Sequence, residues 1–116
     1  MILPYPDSKL LPNRSSGKHW TAVHKAKDAA KATGYAIGLQ NKPEIVKGSL
    51  IPLEIHFYPP DNRKRDLDGA LSSMKSTLDG VAQAWGVDDS CFRPITIDMK
   101  DKIEGGKVVI TVKRTQ

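Results

Sequence analysis

The segment "LIPLEIHFY", residues 50–58, constrains the fold more than any other stretch. Ile51, Leu53, Ile55 and Phe57 alternate with Glu54, His56 and Tyr58, so an extended chain here carries one apolar and one polar face. Such a strand must bury its apolar face. Pro52 puts its start at a sheet edge or a bulge, since proline has no N–H for the ladder. Further on, Leu71, Met74, Leu78, Val81 and Trp85 recur at three- and four-residue steps. They form the apolar stripe of a helix running from about Asp68 to Trp85, with Gly86 as its stop.

The remaining elements arrange themselves around this pair. "ILPYP" can form a short extended segment, and "DSKLLPNRSSGK" reads as loop. A helical pattern runs from about Trp20 to Ala36, with Trp20, Val23, Ala26, Ala30 and Gly34 to one side. Lys25, Lys27, Asp28 and Lys31 lie largely elsewhere on that helix. "PITIDMK" and "KVVITVK" read as strands, and "DKIEGG" between them supplies a turn, which predicts an antiparallel hairpin. The order is β-α-β-α-β-β: an α+β domain spanning residues 1–116, with helices on one face of a small mixed or antiparallel sheet. A chain of 116 residues buries a modest core, and oligomerisation is one way to bury more.

Several classes drop out. No run approaches the roughly 20 apolar residues of a membrane span. The start "MILPYPDSKL" lacks the basic and apolar stretches of a signal peptide, so a cytoplasmic protein is expected. Cys91 stands alone, which rules out an internal disulfide and a cysteine-built zinc site. His19, His24 and His56 have no metal-ligand spacing, and no Ser/His/Asp set or glycine-rich phosphate loop is present. Charge is more informative. Residues 1–65 carry 11 Lys/Arg against 5 Asp/Glu, whereas residues 66–116 carry 7 against 8. The basic first half points to a polyanionic partner, nucleic acid first.

The two regimes meet at "RKRDLDG", residues 63–69. Arg63, Lys64 and Arg65 suit a phosphate backbone, while Asp66 and Asp68 would repel it. In an extended lead-in, residues two apart project to the same side, with Leu67 turned inward. Paired carboxylates beside cations make a hard-oxygen pocket suited to Mg²⁺, with Mn²⁺ as a substitute, and a metal can bridge the acids to a phosphate. The alternative is ordinary helix capping by Asp68 and solvated charge.

Asp68, Ser72, Lys75 and Asp79 form a polar stripe on the helix. Helical side chains lean toward the N-terminus, so the Lys75 ammonium can reach back to steady a phosphate or a leaving oxygen. It can equally pair with Asp79 or Asp68. "VDDS" then adds Asp88 and Asp89. A straight helix over residues 68–85 is roughly 27 Å long, so its ends cannot share a metal unless the chain doubles back. A two-fold homodimer with antiparallel helices would solve this, with Asp66 and Asp68 from one subunit and Asp88 or Asp89 from the other.

Taken together, these residues resemble the RusA family of Holliday junction resolvases, small endonucleases of phages and prophages. The resemblance rests on Pro59–Pro60–Asp61 closing a strand, then "RKRDLDG", then "KSTLDGV" and "GVDDS". It covers about residues 50–92 well; "LPYP" and the last two strands fit more loosely. It implies a metal-dependent homodimer that binds four-way DNA junctions and nicks two strands symmetrically. By resemblance, Asp66, Asp68 and Asp89 are the catalytic, metal-holding acids, with Asp88 beside them. Lys75 is the catalytic lysine and Arg65 a DNA-binding residue. Two departures stand out: Gly69 replaces the usual asparagine, and the interval from Asp68 to Lys75 is about three residues longer than in some members.

Arg63, Lys64 and Arg65 are the expected phosphate contacts, extended by Arg14 and Lys18 in the N-terminal loop and by Lys25, Lys27 and Lys31 on the first helix. The competing functions are a non-catalytic branched-DNA-binding dimer of the same fold and a homodimeric protein whose basic loop meets an acidic protein partner.

Overall fold

The computed structural model describes residues 1–11 and 20–113. Strand β1 is Ile2–Leu3, helix α1 Trp20–Gln40 and strand β2 Leu53–Tyr58. Helices α2 (Leu67–Ser73) and α3 (Lys75–Trp85) follow, then strands β3 (Ile95–Met99) and β4 (Lys107–Val112). Short 3-10 turns sit at Ser8–Leu10 and Asp89–Cys91. The strands form one mixed sheet in the order β1-β4-β2-β3. The α+β order expected from the sequence is the one observed.

The alternation in β2 is realised in full. Leu53, Ile55 and Phe57 are buried, with Leu3, Val108 and Ile110 beside them, under Met74, Leu78, Val81 and Trp85. Each such side chain contributes about 1.5–3 kcal/mol by leaving water. The opposite face carries Glu54 and His56, paired at 3.5 Å, and Lys113, 3.7 Å from Glu54.

The expected hairpin does not form. β3 pairs with β2 in parallel, Ile55 opposite Ile97, and β4 pairs with β2 antiparallel on its other edge, Ile55 opposite Ile110. A turn-rich connection fixes reversal of direction but not which neighbour a strand takes. Here the connection crosses the end of β2: the amide of Lys100 donates to the Phe57 carbonyl at 2.8 Å, and that of Ile103 to Pro59 at 2.9 Å. Gly106, at φ 66°, lets it pass Pro60 and Tyr5, which a side chain would meet at 3.0 Å.

The second helix is also not continuous. It breaks at Met74, φ −90° and ψ −2°, whose amide turns back to Leu71 at 3.0 Å. The buried Ser73 hydroxyl donates to the Ala70 carbonyl at 2.6 Å, a bond that competes with the helical ladder and bends it. The apolar stripe survives the break, with Met74 and Val81 fully buried. Gly86, at φ 71°, ends α3 as expected.

α1 runs four residues beyond its expected end and packs on α3 through glycine. A Cβ on Gly34 would fall on the Thr77 carbonyl, and one on Gly80 would fall on the Lys31 carbonyl. Trp85 Nε1 donates to the Gly38 carbonyl at 2.8 Å and ties the two helices together. Val23 and Gly34 face inward as expected, but Trp20 is 68% exposed and does not join the core. The stripe that meets α3 is centred on the glycines, to one side of the tryptophan.

Gly80→Ala is expected to destabilise the fold by about 1–3 kcal/mol or more, because backbone on both helices must separate. Gly48→Ala has open space, at a loop with φ 83°, and carries only the cost of that backbone conformation. Urea unfolding midpoints of the two variants check the difference.

Candidate active site

β2 ends at Pro59–Pro60, and the loop that follows delivers two acids to the start of α2. Asp66 is the N-cap residue, in extended conformation, yet its carboxylate makes no capping bond. Only its backbone carbonyl is used, accepting from Ala70 at 2.9 Å. Asp68 lies in the first turn and accepts only from the adjacent Gly69 amide, at 2.9 Å. Both are exposed, and among the described residues neither has an ion-pair partner. Capping therefore does not account for the pair.

The three cations before them have different roles. Arg63 donates to Asp61 through Nε at 3.2 Å and Nη2 at 3.0 Å. Arg65 pairs with Asp61 at 2.9 Å, donates to the carbonyls of Asp61 and Arg63, and lies over the Tyr5 ring at 5.4 Å. These bonds hold the Asp61 carboxyl far below the usual carboxylate range, Arg63 contributing most and Arg65 next. The Arg65 side chain is 19% exposed and braces the loop, while that of Arg63 is 79% exposed. Lys64 is exposed. Arg14 and Lys18 lie outside the described residues.

A second group of charges forms one helix further on. The Lys75 ammonium opens α3 and lies 3.6 Å from Asp89 and 3.8 Å from Asp79. It points to these acids and not back to Asp68. Asp89 comes within reach because the chain doubles back after Gly86: the Val87 amide returns to Ala82 at 3.0 Å, and Phe92 packs edge-on to Trp85 at 5.7 Å. Within one chain this brings Asp89 to Lys75 at the start of α3. Asp88 and Asp89 divide their tasks. Asp88 caps the 3-10 turn by accepting from Ser90 at 3.0 Å, which, with help from Asp89, holds its carboxyl below the ordinary value. The Asp89 carboxyl is pushed up, first by its hydrogen bond with Asp79, then by Asp88 and by burial, against the pull of Lys75.

A shallow groove of about 250 Å³ lies beside this second group; Ser72, Lys75 and Asp89 line its polar side, and Leu71, Leu78, Phe92 and Ile95 its floor. Asp68 sits one turn above Ser72 on α2, so the polar stripe expected along this face is present despite the break at Met74. Among the described residues, no three His, Cys, Asp or Glu side chains gather as a metal cluster in one chain. Asp66, Asp68 and Asp89 are thus not brought together as a trio. Two exposed carboxylates, Asp68 spending one lone pair on the Gly69 amide, still fit a hard cation that keeps water and phosphate as its remaining ligands. Asp79 is the residue whose role sequence reasoning passed over. Its signal was the four-residue step from Lys75, read there as an ordinary surface pair.

No model of a described protein family matches the chain. It belongs to the same family as an uncharacterised protein of Xylella fastidiosa (strain Temecula1), 34% identical over 116 residues, covering 97% of this chain and 74% of that protein. It is also similar to the crossover junction endodeoxyribonuclease rusA of Enterobacteria phage HK97, 28% identical over 111 residues, covering 96% of this chain and 90% of that enzyme.

Replacing Asp79 with asparagine removes the neighbour that most raises the Asp89 pKa. Asp89 is then expected to titrate at lower pH than in the unmodified protein. Carboxyl ¹³C NMR titration of the metal-free protein reads this directly; an unmoved Asp89 would assign the shift to Asp88.

Proposed function

We propose that the chain is a metal-dependent, structure-selective DNA endonuclease that resolves four-way junctions by paired, symmetric nicks through phosphodiester hydrolysis, acting as a homodimer. The observation that carries the reading is the pair Asp66 and Asp68, at the end of a basic loop, which cap no helix by side chain and, among the described residues, form no ion pair. The similarity to the phage crossover junction enzyme supports the same class of substrate.

Asp66 and Asp68 are the residues that would hold Mg²⁺, or Mn²⁺ in its place, with Asp89 as the third acid. When bound, the metal supplies charge to polarise the scissile phosphate and lowers the pKa of a water. The chain's own groups do the rest. Lys64 and the open side of Arg63 take backbone phosphates without reading sequence. Arg65 keeps the loop in shape from below. The Lys75 ammonium, held between Asp79 and Asp89, presents positive charge along the groove, where a phosphate oxygen or leaving oxygen gains from it. Its pairing with Asp89 couples the lysine to the third acid.

Labelled four-way junction incubated with Mg²⁺ is expected to yield symmetric paired nicks, and none in EDTA. Asp66→Asn and Asp68→Asn are each expected to lower the rate at least about a hundredfold while junction binding persists, since even residues that only support a ligand cost 10- to 100-fold. Lys75→Ala is expected to slow cleavage with less effect on binding. Junction binding without cleavage in any divalent metal would identify a binding protein of this fold instead.

A further inference from the structure

α1 reaches well past the part of the fold that holds it. Gly34 meets Thr77, and Gly38 meets Val81 and Ala84, so α1 and α3 run in the same direction. At about 1.5 Å per residue, Trp20 lies roughly 21 Å before Gly34, whereas α3 begins only about 3 Å before Thr77. The first turns of α1 therefore project beyond the start of α3, toward the end of the molecule where α2 begins. There the 3-10 turn Ser8–Leu10 touches both α1 and α2. Before Gly34, only Val23 of α1 is buried.

An exposed stripe starts on this projecting part and runs back to Lys31, whose carbonyl already lies against Gly80 of α3. Trp20, His24, Lys27 and Lys31 follow one another at four-, three- and four-residue steps, so they share a face, and all are exposed. The rings of Trp20 and His24 lie 4.3 Å apart at 60°. A tryptophan 68% exposed, held against a histidine and followed by lysines, departs from the usual burial of this side chain. Asp28, the acid of this helix, is set about 80° round from Trp20.

We propose that this stripe is a second DNA contact, in which Trp20 and His24 stack on unpaired bases at a branch point and Lys27 and Lys31 hold phosphates of the adjoining strand. Every base offers a π-face, but within a duplex its neighbours cover it, so only branched or single-stranded DNA can fill the aromatic pair. The two lysines favour a polyanion over an apolar partner. The inference rests on the junction-resolving reading and adds to it a residue that separates branched DNA from duplex.

The test uses tryptophan emission in EDTA, so that no cleavage intervenes. Trp85 is 3% exposed, so emission open to acrylamide belongs to Trp20, and Trp20→Ala identifies the remainder. Junction binding is followed in the same samples by anisotropy of a dye on the DNA. Saturating junction is expected to shield Trp20 from acrylamide, while plain duplex at equal occupancy leaves it open. Trp20→Ala is expected to weaken junction binding about tenfold, with Trp20→Phe retaining most of it and duplex binding unchanged. The proposal is overturned if Trp20 stays open on bound junction or if duplex shields it equally. It is likewise overturned if Trp20→Ala changes the oligomeric state by light scattering, which would make the stripe a protein contact. Anisotropy that never rises defeats the junction reading, and this inference with it; a rise with Trp20 still open defeats this inference alone.

Discussion

Backbone contact between α1 and α3 is the constraint to which the rest of the molecule answers. Gly34 and Gly80 each take the place where the other helix's main chain passes, leaving no room for a methyl group. Close approach of this kind maximises dispersion contact and leaves little freedom to rotate either helix. α3 is thereby fixed between α1 and the sheet, with Met74, Val81 and Trp85 turned inward. Only a narrow strip of its surface stays in water, and that strip carries Lys75 and Asp79. After Gly86 the chain returns along the same strip and sets Asp89 there. The placement of the charged groove follows from which faces of α3 the packing has already used.

Electrostatics then sorts the charges of the loop before α2. Asp61 pairs with both Arg63 and Arg65 within a few residues, so the run "RKR" is partly offset and keeps a net positive charge. Among the described residues, no cation pairs with Asp66 or Asp68 in this way. Further positive charge in this part of the chain lies on Lys64 and along α1. The acids are left with uncompensated potential, which a cation relieves.

What the sequence made legible was periodic and local. The two-residue alternation through Phe57 located a one-sided strand, the stripe from Leu71 to Trp85 located the covering helices, and Gly86 marked their end. The candidate acids were legible because carboxylates next to cations are chemically odd. What was hidden depended on distant partners. The turn around Gly105 and Gly106 says nothing about β2 lying between β3 and β4. The break at Met74, where the Ser73 hydroxyl takes the Ala70 carbonyl, does not show in helical periodicity. Trp20 looked like a core residue because hydrophobicity alone cannot report that glycines, not large side chains, make the contact with α3.

The interruption at Met74 has a bearing on how such chains diverge. Because α2 and α3 are separate rods, residues gained or lost near their joint need not rotate Lys75 away from Asp89, whose meeting is set within α3 and the returning chain. A change in the distance along the sequence from Asp68 to Lys75 would thus leave the pairs of Lys75 with Asp79 and Asp89 in place. Relatives of this protein are better sought by the four-residue step from Lys75 to Asp79 and the returning Asp89 than by a fixed interval after the paired acids.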